Sequence, residues 1–210
     1  MTRPGARPYD VVKRGLDVVG AVLGLIVSAP VMVAVAIAIA VHIGRPVLFV
    51  QRRPGRQGQP FHLLKFRSML PTSPNHVADE DRLTEFGRRL RASSLDELPT
   101  LWNVLKGDMS LVGPRPLLPE YLSRYSPEQA RRHEVRPGIT GLAQVRGRNA
   151  ITWEERLYWD VVYVDHRSLA LDARILAQTF AVVLRREGVA APGHATMYAF
   201  PGGENDRNRP

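Results

Sequence analysis

The run VVGAVLGLIVSAPVMVAVAIAIAV, Val18 to Val41, contains no charged residue. As a straight helix rising about 1.5 Å per residue it would be ~36 Å long, enough to span a bilayer core of about 30 Å. A cleaved leader has an apolar region of only about 7–15 residues, so this run reads as a resident membrane segment.

Its flanks are in conflict. Lys13 and Arg14 precede it, and Arg45, Arg52, Arg53 and Arg56 follow. Cationic flanks favour the cytoplasmic side, and a single crossing satisfies only one of them. Pro30 near the middle lacks a backbone donor and clashes with the carbonyl four residues earlier, while Ser28 can bond freed groups. Each half, about 12 residues or ~18 Å, is too short to span alone. The expectation over 13–44 is therefore a re-entrant helix–break–helix with Ser28 and Pro30 at the break; a kinked crossing helix is the alternative. Gly20, Gly24 and Ser28, four apart, form a small-residue stripe that suits close packing in either case.

The rest of the chain is basic. The 210 residues suit one domain with appended elements, and the absence of cysteine excludes disulfide frameworks and thiolate metal sites. The formal charge of +9 comes almost wholly from arginine, since Lys13, Lys65 and Lys106 are the only lysines. Guanidinium pairs phosphate oxygens bidentately, so nucleotides, anionic lipid and nucleic acid all qualify as partners.

Punctuation and periodicity predict an α+β fold, mostly helical with a small β-hairpin. PVLFVQ and FHLLKFRSM read as strands around the turn RRPGRQGQP. SPNHVADED reads as a polar loop, and Leu83, Phe86 and Leu90 as one face of a helix over 82–92. Pro99 suits the first turn of a further helix ending before Gly107. MSLVGPRPLLP is extended or turning because of its prolines. Ser126-Pro127-Glu128-Gln129 is a capping box, VRPGITGLAQVRGRN a loop, and Trp153–Arg167 and Leu171–Arg186 are helices.

Two adjacent acids stand out against this charge: Asp96 and Glu97 in RASSLDELPTLWNVLKGD. Ser94-x-x-Glu97 is by itself a capping box. Pro99 follows too early for a regular helix begun at Ser94, which places the acids at a kinked helix entrance. The positive helix end there favours ionised carboxylate, the form that binds Mg²⁺ or attacks phosphorus. Adjacent helical residues point about 100° apart, so the two acids are expected to divide nucleophilic and supporting roles rather than share a proton. Lys65, Arg67, Arg91 and Arg115 are candidates for neutralising a diphosphate, although each alone reads more readily as a surface charge. No P-loop, dinucleotide fingerprint, HExxH or nucleophile elbow is present in the sequence.

KRGLDVVGAVLGLIVSAP, KFRSM, RLTEFGRRLRASSLDELPTLWNVLKGDMSLVGPRPLL, RPGITGLAQVRGRN and YVDHRSLALDARIL together resemble the bacterial sugar transferase family, the monotopic polyprenyl-phosphate phosphoglycosyl transferases. The resemblance runs in motif order from Lys13 to Leu184. It implies a Mg²⁺-dependent transfer of sugar 1-phosphate from a UDP-sugar to a polyprenyl phosphate, with UMP released and an aspartyl phospho-sugar intermediate. It implies Asp96 as nucleophile, Glu97 as its assistant, and one or both as metal ligands. Arg91 and Arg115 would hold phosphate, with Lys65, Asp160 and Asp172 on the active-site face, and Arg136 and Gln144 joining the substrate-binding set. It also implies a bacterial inner membrane location with the catalytic part on the cytoplasmic face. Here Ala29 separates Ser28 from Pro30 where the family has them adjacent, and Leu142 and Arg146 stand where tryptophan and asparagine are common.

The expected organisation is a flexible N-terminus (1–12), a re-entrant membrane helix (13–44), a catalytic domain (45–189) and a disordered tail (190–210). A non-catalytic basic module is the rival reading. One that bound nucleic acid would interleave aromatics with its basic stripe, whereas Trp102, Trp153 and Trp159 sit in apolar helical patterns. A third reading keeps the enzyme but changes the lipid carrier or makes the reaction hydrolysis of the nucleotide sugar.

Overall fold

A computed structural model of the protein describes residues 8–72, 79–147, 151–185 and 200. The expected polar loop and the two termini fall mostly outside these residues. Of the flexible N-terminus, 8–12 are helical, and Asp79–Arg82 at the end of the polar loop form a helical turn. Of the span expected to be disordered, Phe200 is described, and it is buried among Tyr121, Tyr125 and Trp153.

Helix α1, Pro8–His42, is one continuous helix with Pro30 inside it. This corrects the expected helix–break–helix. The hydroxyl of Ser28 donates to Gly24 O at 2.6 Å, so it does not bond the Ile26 carbonyl that Pro30 leaves without its donor. Among the described residues α1 is the one helix long and apolar enough to cross a membrane. Ala21, Val35, Ile39 and Ile43 are buried against the remainder of the chain, whereas Val27 and Val41 remain 78% and 75% exposed.

Strands β1 (Leu48–Pro54) and β2 (Pro60–Phe66) form the expected antiparallel hairpin, in register from Leu48 opposite Phe66 to Pro54 opposite Pro60. Helices α2 (Asp79–Arg82), α3 (Glu85–Ala92) and α4 (Thr100–Lys106) follow. Thr84 caps α3 by accepting from Gly87 N, and Gly107 ends α4 at φ 93°, a conformation that suits glycine. Buried Asn103 and Thr100 of α4 satisfy the outer edge of β2. Asn103 donates to His62 O (2.7 Å) and accepts from Leu64 N (3.0 Å), while Thr100 donates to Leu64 O (2.9 Å). These bonds fix the helix that follows the acids against the strand that carries Lys65.

Strands β3 (Ser110–Val112) and β4 (Gly138–Thr140) pair in parallel, Ser110 opposite Gly138. Helix α5 (Pro127–Ala130) carries the predicted capping box at Ser126, and α6 (Leu142–Gly147) lies where a loop was expected. Helices α7 (Trp153–His166) and α8 (Leu169–Arg185) match their predicted spans to within two residues. Val112, Leu142, Tyr163 and Ile175 form the core between β3, α6, α7 and α8.

Candidate active site

Asp96 and Glu97 lie in the 3-10 turn Leu95–Glu97, between α3 and α4. Ser94 precedes it in the left-handed region (φ 57°) and makes no side-chain cap bond, so the expected capping box is absent. Leu95 and Leu98 pack with Val35 and Ile39 of α1 and with Ile43 just past its end. Two apolar side chains thus seat the turn on the apolar helix, and the acids point elsewhere.

The carboxylate of Glu97 is clamped. Lys65 Nζ and Arg115 Nη2 each stand 2.5 Å from its Oε1, and Arg115 Nη1 is 3.4 Å from Oε2. Asp96 differs: it is buried at 8% exposure and makes no hydrogen bond or ion pair among the described residues. One oxygen of Glu97 is held by two cations, whereas Asp96 has no such partner among the described residues.

Electrostatics separates them further. Burial and then the charge of Glu97 push Asp96 up to about 6, against the opposing charges of Lys65, Arg115 and Arg91. Burial would raise Glu97 too, but the charges and hydrogen bonds of Arg115 and Lys65 overcome it and hold Glu97 well below the ordinary carboxylate range. Burial pushes Lys65 down, with the charge of Glu97 acting against it. The sequence argument held both acids in the ionised form through the helix end; burial works against that at Asp96.

Of the other predicted residues, Arg91 joins this group through its charge on Asp96, and its Nε donates to Ser68 Oγ at 2.8 Å. Arg67 makes no side-chain hydrogen bond or ion pair with the described residues. Asp160 stands behind the site. It accepts from Arg132 Nε (3.0 Å) and Nη2 (2.7 Å), and Arg132 Nη2 also donates to Arg115 O at 2.7 Å. Asp172 is held at the start of α1 by Lys13 (2.7 Å), Tyr9 (2.7 Å) and Tyr163 (2.9 Å). Gln144 donates to Ile139 O at 3.3 Å, and its Oε1 is buried without a partner. Arg136 donates to Gly107 O at 2.8 Å and lines a different cavity.

Sequence reading missed Arg132. In Arg131-Arg132-His133 nothing distinguishes it from Arg131, which bonds Glu128, Glu134 and Asp165 on the surface. Only the fold reveals that Arg132 is the buried one.

The sequence profile of the bacterial sugar transferase family matches residues 8–186. The chain belongs to that family. The transferase is 49% identical over 195 residues to the sugar transferase EpsL of Bacillus subtilis, covering 91% of this chain and 96% of that protein. To the UDP-glucose:undecaprenyl-phosphate glucose-1-phosphate transferase of Caulobacter vibrioides it is 44% identical over 188 residues, 83% of this chain and 70% of the other. To the UDP-galactose-lipid carrier transferase of Erwinia amylovora it is 41% identical over 196 residues, and there it spans only 41% of the relative's length. The family match begins at the start of α1 and takes in the acid turn, the hairpin and α8, so the apolar helix of the transferase is part of the family unit.

Proposed function

We propose that the chain transfers sugar 1-phosphate from a UDP-sugar to a polyprenyl phosphate through a covalent intermediate on Asp96. The observation that carries this reading is the inequality of the two acids: Glu97 clamped by Lys65 and Arg115, Asp96 buried beside it without a partner. Lys65, Arg91 and Arg115 give three cations against two carboxylates, a surplus suited to a diphosphate.

An Asp96 oxygen forms a bond to the β-phosphorus as the bond from that phosphorus to the bridging oxygen breaks, and UMP leaves with that oxygen. An oxygen of the polyprenyl phosphate then attacks the same phosphorus, and the Asp96–phosphorus bond breaks. Covalent catalysis divides one difficult displacement into two easier ones. Glu97 keeps Lys65 and Arg115 from turning onto Asp96, which leaves the nucleophile free, while both cations still face the transferring phosphoryl group.

The residues present fit a magnesium ion held chiefly by substrate. No group of three or more acidic or histidine side chains suited to a metal occurs among the described residues, and Mg²⁺ at such sites uses one or two carboxylates with phosphate oxygens and water. Glu97 Oε2, whose one protein contact is the 3.4 Å approach of Arg115, would be its ligand. When bound, the ion offsets charge on the diphosphate.

A placement with both ends of α1 on the cytoplasmic face of the bacterial inner membrane fits the way the helix is packed. Near its start Arg14 donates to Val104 O and Leu105 O of α4, and at its other end His42 stacks on Phe86 of α3. These positions are about 42 Å apart along a straight helix, yet both touch the one body in which α3, α4 and β2 are joined. A helix crossing a ~30 Å core would put its ends on opposite sides, where one compact body cannot reach both.

The experiment is UMP release from a set of UDP-sugars by the full chain with polyprenyl phosphate and Mg²⁺. Release that requires the lipid phosphate supports the reading; release by water alone in its absence identifies a hydrolase instead.

A further inference from the structure

A cleft of about 40 Å³ opens beside the N-terminal end of α1, and neither Asp96 nor Glu97 lines it. Its walls come from α1, the hairpin turn at Arg56, strand β3 and the segment Glu134–Arg136.

Counting partners shows that positive charge in it is left over. Lys13 is committed to Asp172 and Asp17, and Arg167 to Asp10. Glu134 pairs with Arg131, and Asp17 also accepts from Leu111 N. Those pairings occupy the three carboxylates that line the cavity, Asp10, Asp17 and Glu134. Three guanidinium groups remain, and among the described residues each bonds only main-chain carbonyls: Arg14 those of Val104 and Leu105, Arg56 that of Glu134, and Arg136 that of Gly107. Arg14 and Arg136 converge on Gly107, where an added Cβ would lie 3.3 Å from Arg14 Nη2. Burial and the charges of Arg14 and Arg56 depress Arg136, against the opposing charges of Asp17 and Asp10, so the like charges outweigh the carboxylates there.

We propose that Arg14, Arg56 and Arg136 bind a phosphate group in this cavity, at a second site apart from the acid turn. The cleft opens to solvent, so the phosphate group can be carried on a larger molecule. Arginine suits it because the Nη donors not used on carbonyls can pair phosphate oxygens bidentately. Arg14 lies four residues before the charge-free run that begins at Val18, so the phosphate can come from a lipid headgroup as well as from solution. The site is independent of whether Asp96 is a nucleophile.

The test is calorimetric titration of the full chain in neutral detergent at constant ionic strength. The probes are inorganic phosphate and dihexanoyl phosphatidic acid, with dihexanoyl phosphatidylcholine as the control. Saturable binding of phosphatidic acid is expected, weakened about tenfold in Arg56→Gln and in Arg136→Gln and kept in Lys65→Gln, which alters only the acid turn. Binding of inorganic phosphate as well would show that the free anion suffices; binding of phosphatidic acid alone would assign a lipid headgroup. Arg56 is exposed, so Arg56→Gln should unfold at the wild-type midpoint without ligand, which separates lost binding from lost structure. Absence of saturable binding by either anion overturns the proposal, as does binding that survives Arg56→Gln and Arg136→Gln but disappears in Lys65→Gln.

Discussion

Lys65 Nζ lies 2.5 Å from Glu97 Oε1, and the strand carrying Lys65 is tied to α4 by Asn103. A hairpin, a 3-10 turn and a helix are thereby locked into one frame around the Asp96 carboxylate, which bonds nothing among the described residues.

Replacing Glu97 by Gln removes the charge that holds both cations. Lys65 and Arg115 then turn toward Asp96, and a misplaced nucleophile lowers kcat by about 10²-fold. The pH profile adds a signature. The proposed attack needs ionised Asp96, so the wild-type rate is expected to fall as pH drops through about 6. With the charge of Glu97 gone one cause of that elevation is lost, and the acid limb of kcat/KM moves to lower pH in Glu97→Gln. An unmoved limb would detach Asp96 from the limb or Glu97 from Asp96.

The ionised Asp96 carboxylate lowers stability. Asp96 titrates near 6 when folded and near the ordinary value of about 3.9 when unfolded, so burial favours the protonated form. That stabilisation is complete below the unfolded value and lost as pH rises through the folded one. At pH 7 the ionised group opposes folding, and Asp96→Asn is expected to be more stable than wild type by about 1–3 kcal/mol, with the gain shrinking toward pH 4. Denaturant midpoints at the two pH values measure it.

The sequence disclosed whatever depends on neighbours in the chain. The glycines and prolines between Pro54 and Pro60 mark the hairpin, Ser126 with Gln129 marks a capped helix, and the apolar spacing of α7 and α8 marks their extents. Pairings between distant residues left no such trace. The three-residue strands β3 and β4 are too short to show alternation and find each other across 28 positions, Ser110 to Gly138. In the site, Lys65, Arg115 and the acids were legible as residue types, yet their division into a clamped Glu97 and a free Asp96 depends on which cation the hairpin delivers to which oxygen. Ser94-x-x-Glu97 misled because Ser94 takes a left-handed backbone and Glu97 is drawn away by two cations.

Asp160 and Arg132 form a buried pair, each side chain at most 2% exposed. Arg132→Met leaves Asp160 buried without its partner and is expected to cost about 3–5 kcal/mol. Arg132→Met with Asp160→Leu recovers most of that loss, because the charge is removed with its partner. Unfolding of the two variants in detergent decides whether the loss comes from Asp160 left unpaired; equal losses in both would contradict that and place the loss in the bond from Arg132 to Arg115 O.

Placement of α1 is open to labelling in intact cells. Single cysteines at Gly5→Cys and Gln57→Cys flank the helix and should be equally protected from an impermeant thiol reagent. Opposite accessibility would mean that α1 crosses.

The most direct measurement is the mass of the intact protein after mixing with a UDP-sugar and Mg²⁺ in the absence of lipid acceptor. The account predicts a gain of one sugar phosphate per chain, matched by one equivalent of UMP and absent in Asp96→Asn. A wild-type protein that turns over with lipid but never gains this mass, or an Asp96→Asn variant that still does, would contradict it.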